Sequence, residues 1–267
     1  MASTAPASGG RSLSAGRVFE RAFAAVRTNP GVILGLALFV GALPTLIITY
    51  VFVQLGMGSP AALQSGAISM SAIIAMAFVT WLITMVISAI VQGALTRAAI
   101  GATEGKRVSF GESLATGLRV VLPLIGLAIV TAIGIMFGLL LLVVPGIILL
   151  LMWSVAVPTL VVERRGVFDA LGRSNQLTKG AKGTIFGILV VVVVAYWLAS
   201  LIFGVVGLAA YNPASAAAGM SVMNVIGGVI LNTLFNAAWG TVQPALYVEL
   251  RQWKEGTSVE ALEDVFA

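Results

Sequence analysis

Neither cysteine nor histidine occurs anywhere in the 267 residues. Their joint absence removes thiol nucleophiles, zinc and iron–sulfur sites of the Cys/His kind, haem with a histidine ligand and any Ser-His-Asp arrangement. Charge is scarce as well. Asp, Glu, Lys and Arg make up 9% of the chain, and residues 28 to 96, 120 to 162 and 183 to 248 contain none of them. All ten acids therefore lie in four short clusters outside these runs. None is left inside to act as an intramembrane proton relay or sodium ligand of the kind that ion-coupled transporters use. These absences argue against an enzyme, against an ion-coupled pump and against a bound cofactor or metal.

What fills the runs is apolar: the chain is 59% hydrophobic with a mean hydropathy of +1.07. An ion at the centre of a membrane helix costs roughly 2.5 to 3.5 kcal/mol even on a lenient insertion scale, and a soluble protein has no reason to ration charge this way. Crossing about 30 Å of hydrocarbon takes roughly 20 helical residues, so each run holds two spans and a turn. The expected fold is all-α and polytopic, with six transmembrane helices in three hairpins near 31 to 55, 68 to 96, 120 to 141, 146 to 163, 184 to 208 and 222 to 249. Turn signals at Gly56 to Pro60, Pro145-Gly146 and Tyr211-Asn212-Pro213 fall between paired spans. Hairpins put all four charge clusters and both termini on one face. That face carries all 15 Lys and Arg, so by the positive-inside rule it is cytoplasmic. Residues 1–13 read as a disordered tail, 14–256 as the six-helix domain and 257–267 as an amphipathic C-terminal helix. Gly31 to Leu55 is too long for a secretory h-region and reads as a signal anchor. The net charge of +5 follows from topology and predicts no nucleic-acid partner.

The clusters share a pattern. Ser109 with Glu112, Gly166 with Asp169 and Thr257 with Glu260 each place an acid three residues after a helix-capping position, followed by a small residue and a Leu. Three amphipathic cytoplasmic helices are predicted. In the second, Val167, Ala170, Leu171, Ser174 and Leu177 form the apolar or small face of a helix lying flat at an interface. The N-terminal segment offers Phe19, Ala22, Phe23 and Val26 against Arg17, Glu20 and Arg21. Span ends also match. Pro158 to Glu163 is similar to Pro244 to Glu249, and Gln92-Gly93-Ala94-Leu95 to Gln243-Pro244-Ala245-Leu246. Three repeats of surface helix plus hairpin are inferred.

Candidate site residues fall into three sets. Thr80, Thr84, Ser88, Gln92 and Thr96 form a polar stripe at four-residue spacing, and Asn232, Asn236 and Gly240 form another in the last span, with Gln243 nearby. Small and polar residues so spaced let helices approach and bond, as would Gly134 and Gly138, and packing is preferred over a polar path for a solute or headgroup. Gln92, Asn232 and Asn236 stand out because an amide in hydrocarbon needs a partner. Pro44, Pro123, Pro158 and Pro244 predict kinks, read as packing features in preference to transporter-type broken helices. Glu163 and Glu249 end spans at matching positions, where interfacial ion pairs with neighbouring arginines are preferred over a cation or acid–base site. Arg164, Arg165, Arg173, Ser174, Lys179 and Lys182 are candidates to hold a phosphate, a lipid headgroup or a partner, against the plainer role of positive-inside anchoring. The acidic tail is expected to pack across Arg165, Arg173 and Lys179.

The stretch carrying Pro145-Gly146, Trp153, Pro158, Glu163, Ala170-Leu171, Arg173-Ser174, Leu177 and Lys179-Gly180 resembles the six-helix membrane domain fused to some glycerophosphoryl diester phosphodiesterases, and the related YciC-type bacterial inner-membrane proteins. The resemblance implies a multi-pass protein of the bacterial inner membrane. The phosphodiesterase activity of the fused members belongs to a soluble barrel that this chain lacks. The expected function is that of a non-enzymatic integral inner-membrane protein contacting anionic lipid, a membrane-protein partner or a second copy of itself in envelope organisation or homeostasis. The alternative is a transporter or channel for an uncharged or amphipathic solute.

Overall fold

A computed structural model describes residues 13–54, 69–209 and 222–256. The predicted disordered tail falls almost wholly outside these residues, and the predicted C-terminal helix wholly outside. Among the described residues there are helices and no strand. Six helices are long and apolar enough to cross a membrane: Pro30–Val51, Met70–Thr103, Val121–Leu141, Val143–Glu163, Lys182–Val206 and Val225–Glu255.

In chain order, α1 spans Ala15–Thr28. The first span follows as α2 (Pro30–Gly35), a π-helical segment (Leu36–Ala42) and α3 (Leu43–Gln54). The second is α4 (Met70–Thr103), after which α5 (Phe110–Arg119) leads into α6 (Val121–Leu141), the third. The fourth is broken into α7 (Val143–Met152) and α8 (Ala156–Glu163). After α9 (Val167–Thr178) come α10 (Lys182–Ala209) and α11 (Val222–Glu255), the fifth and sixth.

The wide π turn immediately precedes Pro44, whose missing N–H and bulky ring disturb the ladder one turn back. Pro158 acts likewise on the fourth span. It cannot donate to the carbonyl of Ser154, and the chain turns out of helix between α7 and α8. The Ala156 amide then bonds Trp153 O, which frees the carbonyl of Met152. The Ser174 hydroxyl of α9 captures it, donating at 2.7 Å, and Thr178 Oγ1 lies 3.3 Å from it while closer to the Ser174 carbonyl, at 2.9 Å. Pro244, by contrast, sits inside a continuous α11.

The short helices pack on protein. In α5 the Ser109 hydroxyl caps the Glu112 N–H, and Gly117 lies so close to the Ile90 carbonyl that a methyl group there would be 2.3 Å from it. In α9, Ala170, Leu171, Ser174 and Leu177 are all buried. In α1 the buried stripe is Val18, Ala22 and Ala25, rotated from the predicted one, and Phe23 is exposed beneath the Arg27 guanidinium. The reason is electrostatic: Arg17 and Arg21 turn toward Glu249 of α11 and take the flanking face inward.

Packing is concentrated toward one end. Buried residues of α4 run from Ala89 to Gly101, and those of α11 include Ala237 to Leu250. At the other end Met70, Ile74, Phe78 and Leu140 to Val144 stand exposed. A bilayer as solvent removes the penalty such a surface would carry in water.

Candidate functional site

Two places gather the predicted residues. The first is the charged end. Glu163 accepts from Arg165 Nε at 2.6 Å, from Arg173 Nε at 3.1 Å and from the Tyr247 hydroxyl at 3.0 Å. Arg173 also bonds Glu255, which accepts from Arg251 as well. Burial works against the Arg173 charge, but hydrogen bonds and proximity to Glu255 and Glu163 outweigh it and raise its pKa. Glu249, with its side chain 4% exposed, receives Arg17 Nε at 2.5 Å, and its other oxygen lies 3.2 Å from Arg21 Nε without a well-aligned hydrogen bond. Arg97 bonds Glu112, and the Asn29 amide donates to Val108 O. Ion pairs thus join the N-terminal and 163–182 clusters to the C-terminal one, and the Asn29 amide at the end of α1 reaches the fourth.

Within the headgroup-contact set the structure makes distinctions. Arg165 and Arg173 already hold carboxylates, and Ser174 is buried with its hydroxyl spent on Met152, so it offers nothing to a headgroup. The small face of α9 packs on protein and seals the break in the fourth span. Arg164 and Lys179 are exposed, and Arg164 adopts a left-handed backbone (φ 51°) at the end of α8. Among the described residues seven cations make no ion pair, namely Arg27, Arg107, Arg119, Arg164, Lys179, Lys182 and Lys254, against two such acids, Glu20 and Asp169. No group of three acidic side chains among the described residues is placed to hold a metal ion.

The second place is a cavity of about 540 Å³ between the second, third, fourth and sixth spans. Its polar lining is Ser88, Gln92, Thr131 and Gln243, and two indoles, Trp153 and Trp239, flank it. Trp153 lies against Gly134, where a methyl group would be 2.5 Å from the ring, so glycine is what admits the indole. Leu127, Ile135, Met136 and Leu139 line the cavity along the third span. Positions 92, 157 and 243, which correspond when the span ends are aligned, all face this space, as do 88, 153 and 239 one turn away.

The four amides thus divide. Asn236 donates to the carbonyl and side-chain oxygens of Asn232 at 2.9 and 2.6 Å, and Asn232 lines a separate, smaller cavity beside Thr45 and Thr49. Asn236 also packs beside Gly41 in the π segment. Gln92 and Gln243 have no side-chain hydrogen bond to any described residue. The stripe on α4 is likewise split: Thr84 bonds the Thr80 carbonyl, Thr96 is buried, and Ser88 and Gln92 open to the cavity. Sequence reasoning gave no site role to Trp239 and Thr131, and named Trp153 only for the resemblance, although the four-residue offset of Trp153 and Trp239 from aligned positions 157 and 243 was a usable signal. The chain matches no protein-family model, no curated protein and no solved structure.

Proposed function

We propose that this chain is a non-enzymatic multi-pass protein of the bacterial inner membrane, with both termini cytoplasmic, whose charged face contacts anionic lipid headgroups in envelope organisation or homeostasis. The observation that carries this reading is the uneven remainder at the charged end: seven unpaired cations to two unpaired acids among the described residues. Cations with no counter-ion among the described residues, set beside an anionic leaflet, gain about 1 kcal/mol each near the surface. The meeting of the four charge clusters supports a hairpin topology, and the positive-inside bias supports the cytoplasmic assignment. The resemblance to the membrane domain of the phosphodiesterase-fused and YciC-type proteins points the same way. Carboxylates at the span ends are engaged by arginine, which favours a structural role for Glu163 and Glu249 over acid–base chemistry.

Lipid retained on the purified protein tests this. Phosphatidylglycerol and cardiolipin should be enriched over their share of the source membrane. The triple variant R164Q/K179Q/K182Q should lose that enrichment, and R173Q, which removes an ion-paired side chain, should not lose it by the same route. Retained lipid that mirrors the bulk membrane would overturn the reading. The second reading, a protein that handles an uncharged or amphipathic solute, is favoured by the cavity.

A further inference from the structure

The cavity between the second, third, fourth and sixth spans is graded from polar to apolar along the membrane axis. Gln92 lies five residues before Arg97 and Gln243 six before Glu249, which puts both amides roughly 7 to 9 Å inward of the charged end. Ser88 and the two indoles come a turn deeper. Along the third span the lining runs from Leu124, near the charged end, to Leu139, roughly 22 Å away, and beyond Thr131 it consists there of Ala132, Ile135, Met136 and Leu139. Met136 is 60% exposed and Leu139 45%, so this apolar half is open laterally.

The polar groups here are also unspent. Although Ser113 and Thr233, elsewhere in the protein, have no partner among the described residues, Thr45, Thr49, Thr84, Ser200 and Thr241 each donate to the carbonyl four residues back. Ser88 and Thr131 do not, and the amides of Gln92 and Gln243 are unbonded to any described residue. An amide in a low-dielectric setting is costly without a partner, and the packing around these two supplies none. Lining residues include no Lys, Arg, Asp or Glu. A phosphate or carboxylate placed at the amides would be buried without a counter-ion, so the site selects against a charged head.

We infer that the cavity is a binding slot for a single-chain amphipath with an uncharged hydrogen-bonding head, a monoacylglycerol or long-chain alcohol by class. The head hydroxyls and carbonyl bond Gln92 and Gln243, and the hydrocarbon chain lies along the third span over Ile135, Met136 and Leu139. A volume of about 540 Å³ is within the range of roughly 300 to 1,000 Å³ typical of small-molecule pockets. The chain enters sideways from the bilayer, through the exposed edge at Met136. A hydrophilic solute is disfavoured, because beyond Thr131 the third span offers it only apolar wall. The inference rests on the membrane-spanning reading and deepens its solute-handling alternative. It is independent of the anionic-lipid contact, since R164Q/K179Q/K182Q touches no residue of the slot.

The test uses the full chain reconstituted in phosphatidylethanolamine and phosphatidylglycerol vesicles, with a monoacylglycerol probe bearing a diazirine near the end of its tail. A lysophosphatidic acid with the same tail and diazirine is the charged-head counterpart. Photolysis and peptide mapping should place the monoacylglycerol label on Met136 and Leu139 in preference to Ile133 and Leu140, which serve as lipid-facing references. The double variant Q92L/Q243L should reduce that labelling about fivefold or more, the loss expected for one or two hydrogen bonds. A132F, which fills the slot below the amides without altering them, should do the same and guards against a folding defect in the double variant. Equal labelling of Ile133 and Leu140, labelling that survives both Q92L/Q243L and A132F, or stronger labelling by the charged probe would each overturn the inference.

Discussion

At the scale of single residues, four amides of one chemical kind meet two fates. Asn232 and Asn236 are one helical turn apart on the same helix and bond each other. Gln92 and Gln243 are on different helices and face open space. Asn236→Leu should therefore cost about 0.5 to 2 kcal/mol, the range for side-chain hydrogen bonds in membrane helices, read as a drop in unfolding midpoint in detergent. Gln92→Leu should stay within about 0.5 kcal/mol of the parent, because it removes a group that has no protein partner to strand. Packing was the expected role for Gln92. A substitution cost equal to that of Asn236→Leu would restore that role and argue against an open slot. Residue identity singled out Gln92, Asn232 and Asn236, and only the rotation of each helix decided which of the four amides meets a protein partner.

At the scale of elements, the fourth span and α9 form one unit. The break at Trp153 to Val155 follows from Pro158, and the carbonyl it frees is held by the Ser174 hydroxyl of α9, with that of Thr178 at the edge of reach. Ser174→Ala with Thr178→Val should destabilise the protein by about 1 to 3 kcal/mol, the cost of a buried acceptor left without a donor. With Pro158→Ala in the background that cost should shrink. Alanine restores an N–H for the Ser154 carbonyl and lets the turn rewind, so the Ala156 amide can return to Met152. A double-mutant cycle on unfolding free energy measures the coupling, and strict additivity would show that the hydroxyls and the proline act separately. The amphipathic pattern of α9 was legible in the sequence. Its docking partner was not, because an apolar face has the same spacing whether it meets lipid or a neighbouring helix.

At the scale of the whole molecule, the charged clusters gather at one end and the packed core lies beside them, while the far half presents large apolar side chains outward. In the hairpin topology proposed above, the absence of native cysteine makes orientation directly measurable. A single cysteine at Ala62 or Ala216, both outside the described residues, should react with an impermeant maleimide applied to intact cells, and one at the exposed Gln176 should not. Labelling at Gln176 alone would invert the orientation, and labelling at all three would break the hairpins.

The sequence by itself determined the six apolar helices, their approximate ends and the four charge clusters. The reason is that the cost of an ion in hydrocarbon is paid residue by residue and leaves its mark along the chain without reference to neighbours. Capping at Ser109 was visible on the same local terms. Tertiary structure decided the rest: that Arg17 and Arg21 close over Glu249, that Ser174 serves a broken helix and not a headgroup, and that Gln92 and Gln243 face one cavity flanked by two indoles. Each of these depends on how a helix is turned about its own axis and which neighbour it meets. In a chain this uniformly apolar the hydrophobic pattern is nearly silent on both, and close packing together with the pairing of a few polar groups settles them.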